Sequence, residues 1–379
     1  MRFIYADNAA TTRLSDTALK AMLPYLREEY GNASTLYKLG RSAHNAVASA
    51  RRTFADGIQA IPAEIFFTSG GTESDNWAIK GTAHRLARLG KRHIVTDNIE
   101  HHAVLNSVSA LAREGFEITY VKADADGVVP PQAIRAAIRP DTALVSVMFA
   151  NNELGTIQPV AEIGRICHDA GVLFHCDAVQ AAGILPINVQ AMNIDLLSIS
   201  AHKFHGAKGV GVLYARRGCA PEVYIDGGEQ EYHHRAGTEN VAGIVGAAAA
   251  FAEALGEREH KAARLAQMRD EIQAGLLKIP EAVVNGANAA RLPGTLNMSF
   301  SGVDGQSLIF ALDSNGIAAS SGSACASGSI SPSHVLLALG LPYSLAHVSL
   351  RISLGRYNTS GEVNTVIQTV TRVITEMRA

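Results

Sequence analysis

Between residues 60 and 215 the apolar positions fall into short continuous runs, separated by longer stretches in which they recur at helical spacing. The runs at 64–68, 93–96, 117–122, 143–149, 172–176, 196–200 and 211–214 predict seven strands. A short apolar run bounded by turn residues suits a strand covered on both faces. Between several of them, 78–89, 103–113, 131–138 and 160–169 carry the period of an amphipathic helix. Alternation of this kind predicts an α/β fold, a large domain with a mostly parallel seven-stranded sheet flanked by helices. After about residue 240 the pattern changes. An Ala/Glu/Arg-rich stretch at 241–277 reads as one or two helices, followed by shorter strands at 295–300 and 347–353 and a helix from residue 362. These predict a smaller α/β domain, with 16–250 in the large domain and 1–15 plus 251–379 in the small one.

Composition narrows the class. Of 379 residues, 47% are hydrophobic and 18% charged, the balance of a soluble globular protein. Lys+Arg 33 against Asp+Glu 35 gives a net charge of -2, which gives no support for direct nucleic-acid binding. The N-terminus meets a charge before a signal-length apolar run develops, and no run of about 18 apolar residues exists. No membrane association is expected. The cysteines, Cys167, Cys176, Cys219 and Cys325, form no C-x-x-C pair, so zinc and thioredoxin-like chemistry lack their spacing, and so few in so long a chain point to a reducing, cytoplasmic setting and not a disulfide scaffold. Cys325 stands apart. It lies in Ala319-Ser320-Ser321-Gly322-Ser323-Ala324-Cys325-Ala326-Ser327-Gly328-Ser329, a run too poor in apolar side chains to hold a core, as a nucleophilic thiol requires.

In open α/β sheets the chemistry gathers at the carboxyl ends of the strands. The 64–68 run is followed by Ser69-Gly70-Gly71-Thr72-Glu73-Ser74-Asp75-Asn76, a glycine turn opening a helix, which suits a phosphate. No G-K-[ST] follows, so a nucleotide P-loop is unsupported. Later strand ends carry Glu100-His101-His102, Asn151-Asn152-Glu153, Asp177-Ala178-Val179-Gln180 and Ala201-His202-Lys203. Together they supply a phosphate cup, a ring-stacking imidazole, an amide, a carboxylate and an amine. That set fits pyridoxal 5'-phosphate: the amine forms the Schiff base, and the carboxylate holds the pyridine nitrogen protonated so that the ring acts as an electron sink. Metal ligation by the histidine pairs is the weaker alternative, since no H-x-x-x-H helix or cysteine pair supports it. Gly206-Ala207-Lys208-Gly209-Val210-Gly211 leads into a strand and fails as a dinucleotide motif.

With Asp177-x-x-Gln180 and Ser200-x-His202-Lys203 in place, the chain resembles the class V aminotransferase group of fold-type I, and more closely cysteine desulfurases of the NifS/IscS type. The likeness runs nearly end to end. It includes Tyr5-Ala6-Asp7-Asn8-Ala9-Ala10-Thr11-Thr12, Arg235-Ala236-Gly237-Thr238-Glu239-Asn240, the Cys325 run and Pro332-Ser333-His334-Val335. The resemblance implies that Lys203 carries the cofactor and that Asp177 pairs with its ring nitrogen. Gln180 and Asn152 lie by its phenolic oxygen, and His101 stacks on the ring and transfers protons. Gly71, Thr72, Ser200 and His202 hold the phosphate, with Thr238 reaching it from the second subunit of a homodimer. Arg351 clamps the substrate carboxylate beside Asn152; a guanidinium fork matches a carboxylate.

The implied reaction removes sulfur from L-cysteine. Lys203 shifts the α-proton, the Cys325 thiolate takes the sulfur, and a Cys325 persulfide and L-alanine result. The persulfide then passes to an acceptor protein such as an iron–sulfur scaffold. The chain departs from the usual pattern at Ala33, Tyr37, Ala207, Glu229, Tyr232 and His233. Another fold-type I enzyme on the same cofactor, such as a selenocysteine lyase or an aminotransferase, remains the alternative; an aminotransferase would not need Cys325.

Overall fold

The structure, a computed structural model, describes residues 3–321 and 332–379. Cys325 therefore lies outside the described residues. The strands are β1 (Ile4–Tyr5), β2 (Ile65–Thr68), β3 (His93–Asp97), β4 (Glu117–Val121), β5 (Thr142–Ser146), β6 (Leu173–Asp177), β7 (Leu196–Ser200), β8 (Gly211–Ala215), β9 (Ala282–Val284), β10 (Thr295–Phe300), β11 (Ile317–Ala318) and β12 (Ser349–Ser353). The large sheet has the order β2-β8-β7-β6-β5-β3-β4. Within it, β8 alone runs against the others, so the carboxyl ends of six strands face the same way. Strands β2, β3, β5, β7 and β8 are buried at every position, which is why they read as unbroken apolar runs.

Two boundaries differ from the sequence reading. The run at 143–149 ends as a strand at Ser146. Val147 and Phe149 still donate to the carbonyls of His175 and Asp177, which carries Met148, Ala150 and Asn152 out over the sheet's end. The helix expected at 78–89 begins earlier, at Gly71, and continues through a π-helical stretch at Trp77–Gly81 to Ala87. Its first turns, Thr72-Glu73-Ser74-Asp75-Asn76, are polar and carry no apolar period to betray them.

The stretch at 241–277 is one helix, Val241–Leu276, whose first turn is capped by the Asn240 side chain accepting from the Gly243 N–H. Ile244, Ala247 and Phe251 pack into the core of the large sheet. Leu265, Met268, Ile272 and Leu276 pack into a second core with β10, β12 and the helix Val363–Arg378. The antiparallel β12-β10-β9 sheet and the parallel β1–β11 pair belong to this second region. The N-terminus threads between β11 and β12: the Ile4 and Ala6 N–H groups donate to the Gly316 and Ala318 carbonyls at 2.8 Å, and Ser353 N–H donates to the Ala6 carbonyl at 2.7 Å.

One buried ion pair fixes the loop leading toward Thr238. Glu231, Tyr232 and His233 have φ of 46°, 57° and 66°, three consecutive non-glycine residues in the left-handed region, each at a steric cost. Glu231 is buried there. Its carboxylate accepts from Arg51 Nη1 and Nη2 at 2.7 and 2.9 Å and from the Phe67 N–H at 2.9 Å. The Arg51 guanidinium also lies over the rings of Phe67 and Tyr232. Removing one partner strands a buried charge, which costs about 3–5 kcal/mol. Glu231→Ala should therefore lower the denaturant midpoint by a stability loss of that size; an unchanged unfolding curve would show that the pair does not hold the loop.

Candidate active site

A cavity of about 220 Å³ opens at the carboxyl ends of the large sheet. Strand β6 ends in Asp177 and the following turn supplies Gln180. Strand β7 ends in Ser200 and leads into the short 3-10 turn Ala201–Lys203. Gly71 and Thr72 enter from the turn after β2, His101 from the start of the helix His102–Arg113, and Asn152 from beyond β5. Arg351 reaches in from β12. Gly71, Thr72, His101, Asn152, Asp177, Gln180, Ser200, His202, Lys203 and Arg351 thus share one cavity. Thr238 is exposed and outside it, and Cys325 is outside the described residues.

Local chemistry explains each placement. Lys203 Nζ donates to the carbonyls of Ala9 and Ala10 at 2.6 and 2.8 Å. Gln180 Nε2 donates to the Ala9 carbonyl at 3.1 Å, and His202 Nδ1 pairs with Thr11 Oγ1 at 3.0 Å. Asp177 Oδ1 accepts from the Val179 N–H at 2.8 Å. His101 caps its helix, with Nδ1 accepting from the Ala103 N–H at 3.1 Å, so the neutral ring carries its proton on Nε2. Arg351 is 2% exposed. Its Nη1 donates to the Asn152 carbonyl at 2.9 Å and its Nη2 to Asp7 Oδ1 at 2.8 Å, while Nε is buried without a hydrogen-bond partner among the described residues.

The electrostatics separate the groups. Burial, followed by the nearby Lys203 charge, depresses His101 and His202 to about 4, so both rings are neutral at pH 7. Burial raises Asp177 to about 6, opposed by the Val179 N–H and by Lys203. Asp75, also lining the cavity, is raised well above the usual carboxylate range by burial and by Asp177, and its Oδ1 has no hydrogen-bond partner among the described residues. Two buried carboxyls at one end of a cavity fit a ligand that brings positive charge to them. A Cβ on Gly71 would lie 2.6 Å from Val179 Cγ2, so the glycine keeps the backbone close to the wall where Thr72, Ser200 and His202 gather. That end offers N–H and O–H donors, including the unpaired first N–H groups of the helix, and could hold a phosphate. The lysine could bond an aldehyde covalently, and the Arg351 Nε could receive a carboxylate.

Several lining residues escape the sequence reading. Ala9, Met148, Ala150 and Val179 are apolar and carry no chemical signal, and Asp75 stands in a helical turn without one. Asp7, Ala9, Ala10 and Thr11 lie in the N-terminal motif Tyr5–Thr12, where residue type alone suggests no role. Of the neighbouring amides, Asn151 is structural: Nδ2 donates to the Ile99 carbonyl, and Oδ1 accepts from the Glu153 and Leu154 N–H groups. Among the described residues no group of three or more His, Cys, Asp or Glu is placed to hold a metal, and no helix is long and apolar enough to cross a membrane. None of Ala33, Tyr37, Ala207, Glu229, Tyr232 and His233 lines the cavity.

The aminotransferase class V family model matches residues 4–366. Cysteine desulfurase IscS of Methanosarcina thermophila is 49% identical over 375 residues, covering 99% of this chain and 93% of the relative. The protein of that name from Dictyoglomus turgidum is 46% identical over 378 residues, covering 100% and 96%. Among solved structures, a NifS-like protein superposes with a TM-score of 0.93 at 39% identity, covering 99% of this chain and 100% of that one. SspA in complex with cysteine superposes with a TM-score of 0.83 at 36% identity, covering 94% and 100%.

Beside the cavity, Glu153 is buried and accepts from Ser333 Oγ. Burial raises it to about 7, opposed by that hydrogen bond and by Arg351. A carboxyl raised in the folded state lends stability that is present below its unfolded pKa near 4.5 and is lost as pH rises through 7. Glu153→Gln keeps an acceptor for Ser333 and removes the titration. Its stability relative to the parent should rise by about 3 kcal/mol between pH 4.5 and 7, read from denaturant curves across that range. A flat difference would show that Glu153 titrates normally.

Proposed function

The chain belongs to the class V aminotransferase family, among its cysteine desulfurases, and on that premise we propose how its cavity serves the reaction. The observation that carries the reading is the meeting of Lys203, Asp177 and Arg351 in one cavity on three separate elements. Pyridoxal 5'-phosphate bound there supplies an electron sink for the substrate's α-carbon. Gly71, Thr72, Ser200 and His202 hold its phosphate, Asp177 keeps its ring nitrogen protonated, and Lys203 holds it covalently. Gln180, Asn152 and His101 would complete its binding, His101 with an Nε2–H donor.

L-cysteine is the substrate, and Arg351 receives its carboxylate through donors that Asp7 and Asn152 leave open. Lys203 would take the substrate's α-proton at Nζ and return it. The Cys325 thiolate attacks the substrate sulfur: a Cys325 S–S bond forms, the substrate's Cβ–S bond breaks, and the released fragment gains a proton to become L-alanine. SspA's complex with cysteine supports the substrate. Iron–sulfur scaffold proteins are the proposed sulfur acceptors, in line with the IscS relatives.

A homodimer is proposed, with Thr238 reaching the phosphate of the second subunit. Thr238 is exposed in its own chain, as are the large apolar side chains Leu23, Leu26, Tyr30 and Leu36, which a second copy would cover. We divide the chain into 16–250 and 1–15 plus 251–379, with two cores sharing the long helix, although Val335, Leu336, Leu339 and Ala346 pack into the core of the large sheet. The described cysteines, Cys167, Cys176 and Cys219, are free thiols, in keeping with a reducing, cytoplasmic setting.

The test follows sulfide and alanine from the protein supplied with pyridoxal 5'-phosphate and L-cysteine. The parent should show the visible absorbance of the lysine-bound cofactor and form both products. Lys203→Ala should lose both absorbance and turnover, whereas Cys325→Ser should keep the absorbance and lose sulfide transfer. Equal sulfide from Cys325→Ser would overturn the role of that thiol.

A further inference from the structure

We propose that Asp7 is a positioning residue for substrate capture, holding the Arg351 guanidinium in the attitude that receives the substrate carboxylate. The proposal rests on the reading of Arg351 as that receptor. A guanidinium with 2% exposure has lost nearly all its water and needs partners from the protein. The structure gives it two, the Asn152 carbonyl at 2.9 Å and Asp7 Oδ1 at 2.8 Å, and of these Asp7 carries the charge. The two contacts are made through different nitrogens, so they define the plane of the fork. Nε is left buried beside the cavity with no hydrogen-bond partner among the described residues.

Asp7 is itself held on several sides. Its second oxygen accepts from Ser320 Oγ at 2.8 Å. Its backbone bridges to Ser353, and the flanking Ala6 and Asn8 N–H groups donate to the Ala318 and Ser353 carbonyls. The Ser320 backbone in turn exchanges hydrogen bonds with Arg351, N–H to carbonyl at 3.2 Å and carbonyl from N–H at 2.6 Å. Asp7, Ser320 and Arg351 thus close a ring of side-chain and backbone contacts. Threading the N-terminus between β11 and β12 thereby delivers a carboxylate to the inner side of the arginine. Nε is the guanidinium nitrogen that neither Asp7 nor Asn152 uses, so a substrate carboxylate can join the arginine there without displacing Asp7.

The experiment measures KM and kcat for L-cysteine, and the dissociation constant of L-alanine from its perturbation of the cofactor's visible absorbance, in Asp7→Ala and Asp7→Asn. Asp7→Ala should raise KM and the alanine constant about tenfold, about 1.4 kcal/mol, with kcat changed less than about threefold. Asp7→Asn, which keeps an acceptor and loses the charge, should be partly rescued and decides the matter if the alanine variant does not fold. In an Arg351→Ala background the Asp7 change should add nothing, because the residue acts through the arginine. Unchanged KM and alanine binding, a loss confined to kcat, or a full effect without Arg351 would each overturn the proposal. A parent that lacks the lysine-bound absorbance would instead overturn the underlying reading of the cavity.

Discussion

The site depends on one constraint: its charged groups lie where water does not reach freely, so the chain must supply their partners. An uncompensated buried charge costs several kcal/mol, and both cations of the cavity, Lys203 and Arg351, find partners in residues 7–10. Ala9 and Ala10 offer carbonyls to Lys203, and Ala9 also serves Gln180. Thr11 and Thr12 hold His202, through its Nδ1 and its carbonyl respectively. Asp7 meets Arg351. These contacts link β6, β7 and β12 through a segment that itself forms almost no regular structure. The N-terminal strand belongs to the second core, so the position of the lysine on the large sheet is tied to the packing of the smaller region.

Beneath the cavity lies a polar layer that a structural core would not choose. His175 bonds Ser146 and Ser198 at 2.8 and 3.0 Å, and burial depresses it to about 3, keeping the ring neutral. Asp97 is raised to about 7 by burial, and Glu100 is raised well above its usual range, with both its oxygens lacking hydrogen-bond partners among the described residues. With Asp75 and Asp177 these carboxyls cannot all ionise side by side. The layer therefore keeps some of these carboxyls protonated. A cationic group bound at Asp177 would let that carboxyl ionise, which is what the ring nitrogen of the proposed cofactor would bring.

The strands were legible because a parallel sheet covered on both faces writes itself as apolar runs, and the strand ends were legible because topology orders them. Histidine, aspartate and lysine at successive ends pointed to one cavity without any tertiary information. What stayed hidden has physical reasons. Asn151 and Asn152 look alike in sequence, yet one closes a turn and the other lines the cavity; only the backbone tells them apart. Arg351, taken alone, reads as a strand arginine open to solvent, and its burial is a tertiary fact. Asp75 sits in a helical turn with no apolar period. Thr238 is exposed in its own chain, so a single sequence cannot show what it would face.

The departures from the family pattern follow the same division between local and tertiary causes. Tyr232 and His233 adopt left-handed backbone without being glycine, and nothing local favours it. The compensation comes from Glu231, whose carboxylate is bonded to Arg51 and to the β2 backbone, and from the Tyr232 ring lying on the Arg51 guanidinium. A tyrosine at 232 thus adds a cation–π contact worth about 0.5–2 kcal/mol to the same arginine that buries the acid next to it. The loop then runs through Arg235, which is paired with Glu73 in the first turn of the helix whose Gly71 and Thr72 line the cavity. The unusual residues are therefore tolerated because the segment is clamped at both ends by buried or half-buried arginines. They alter a surface beside the site while its inner wall stays in place.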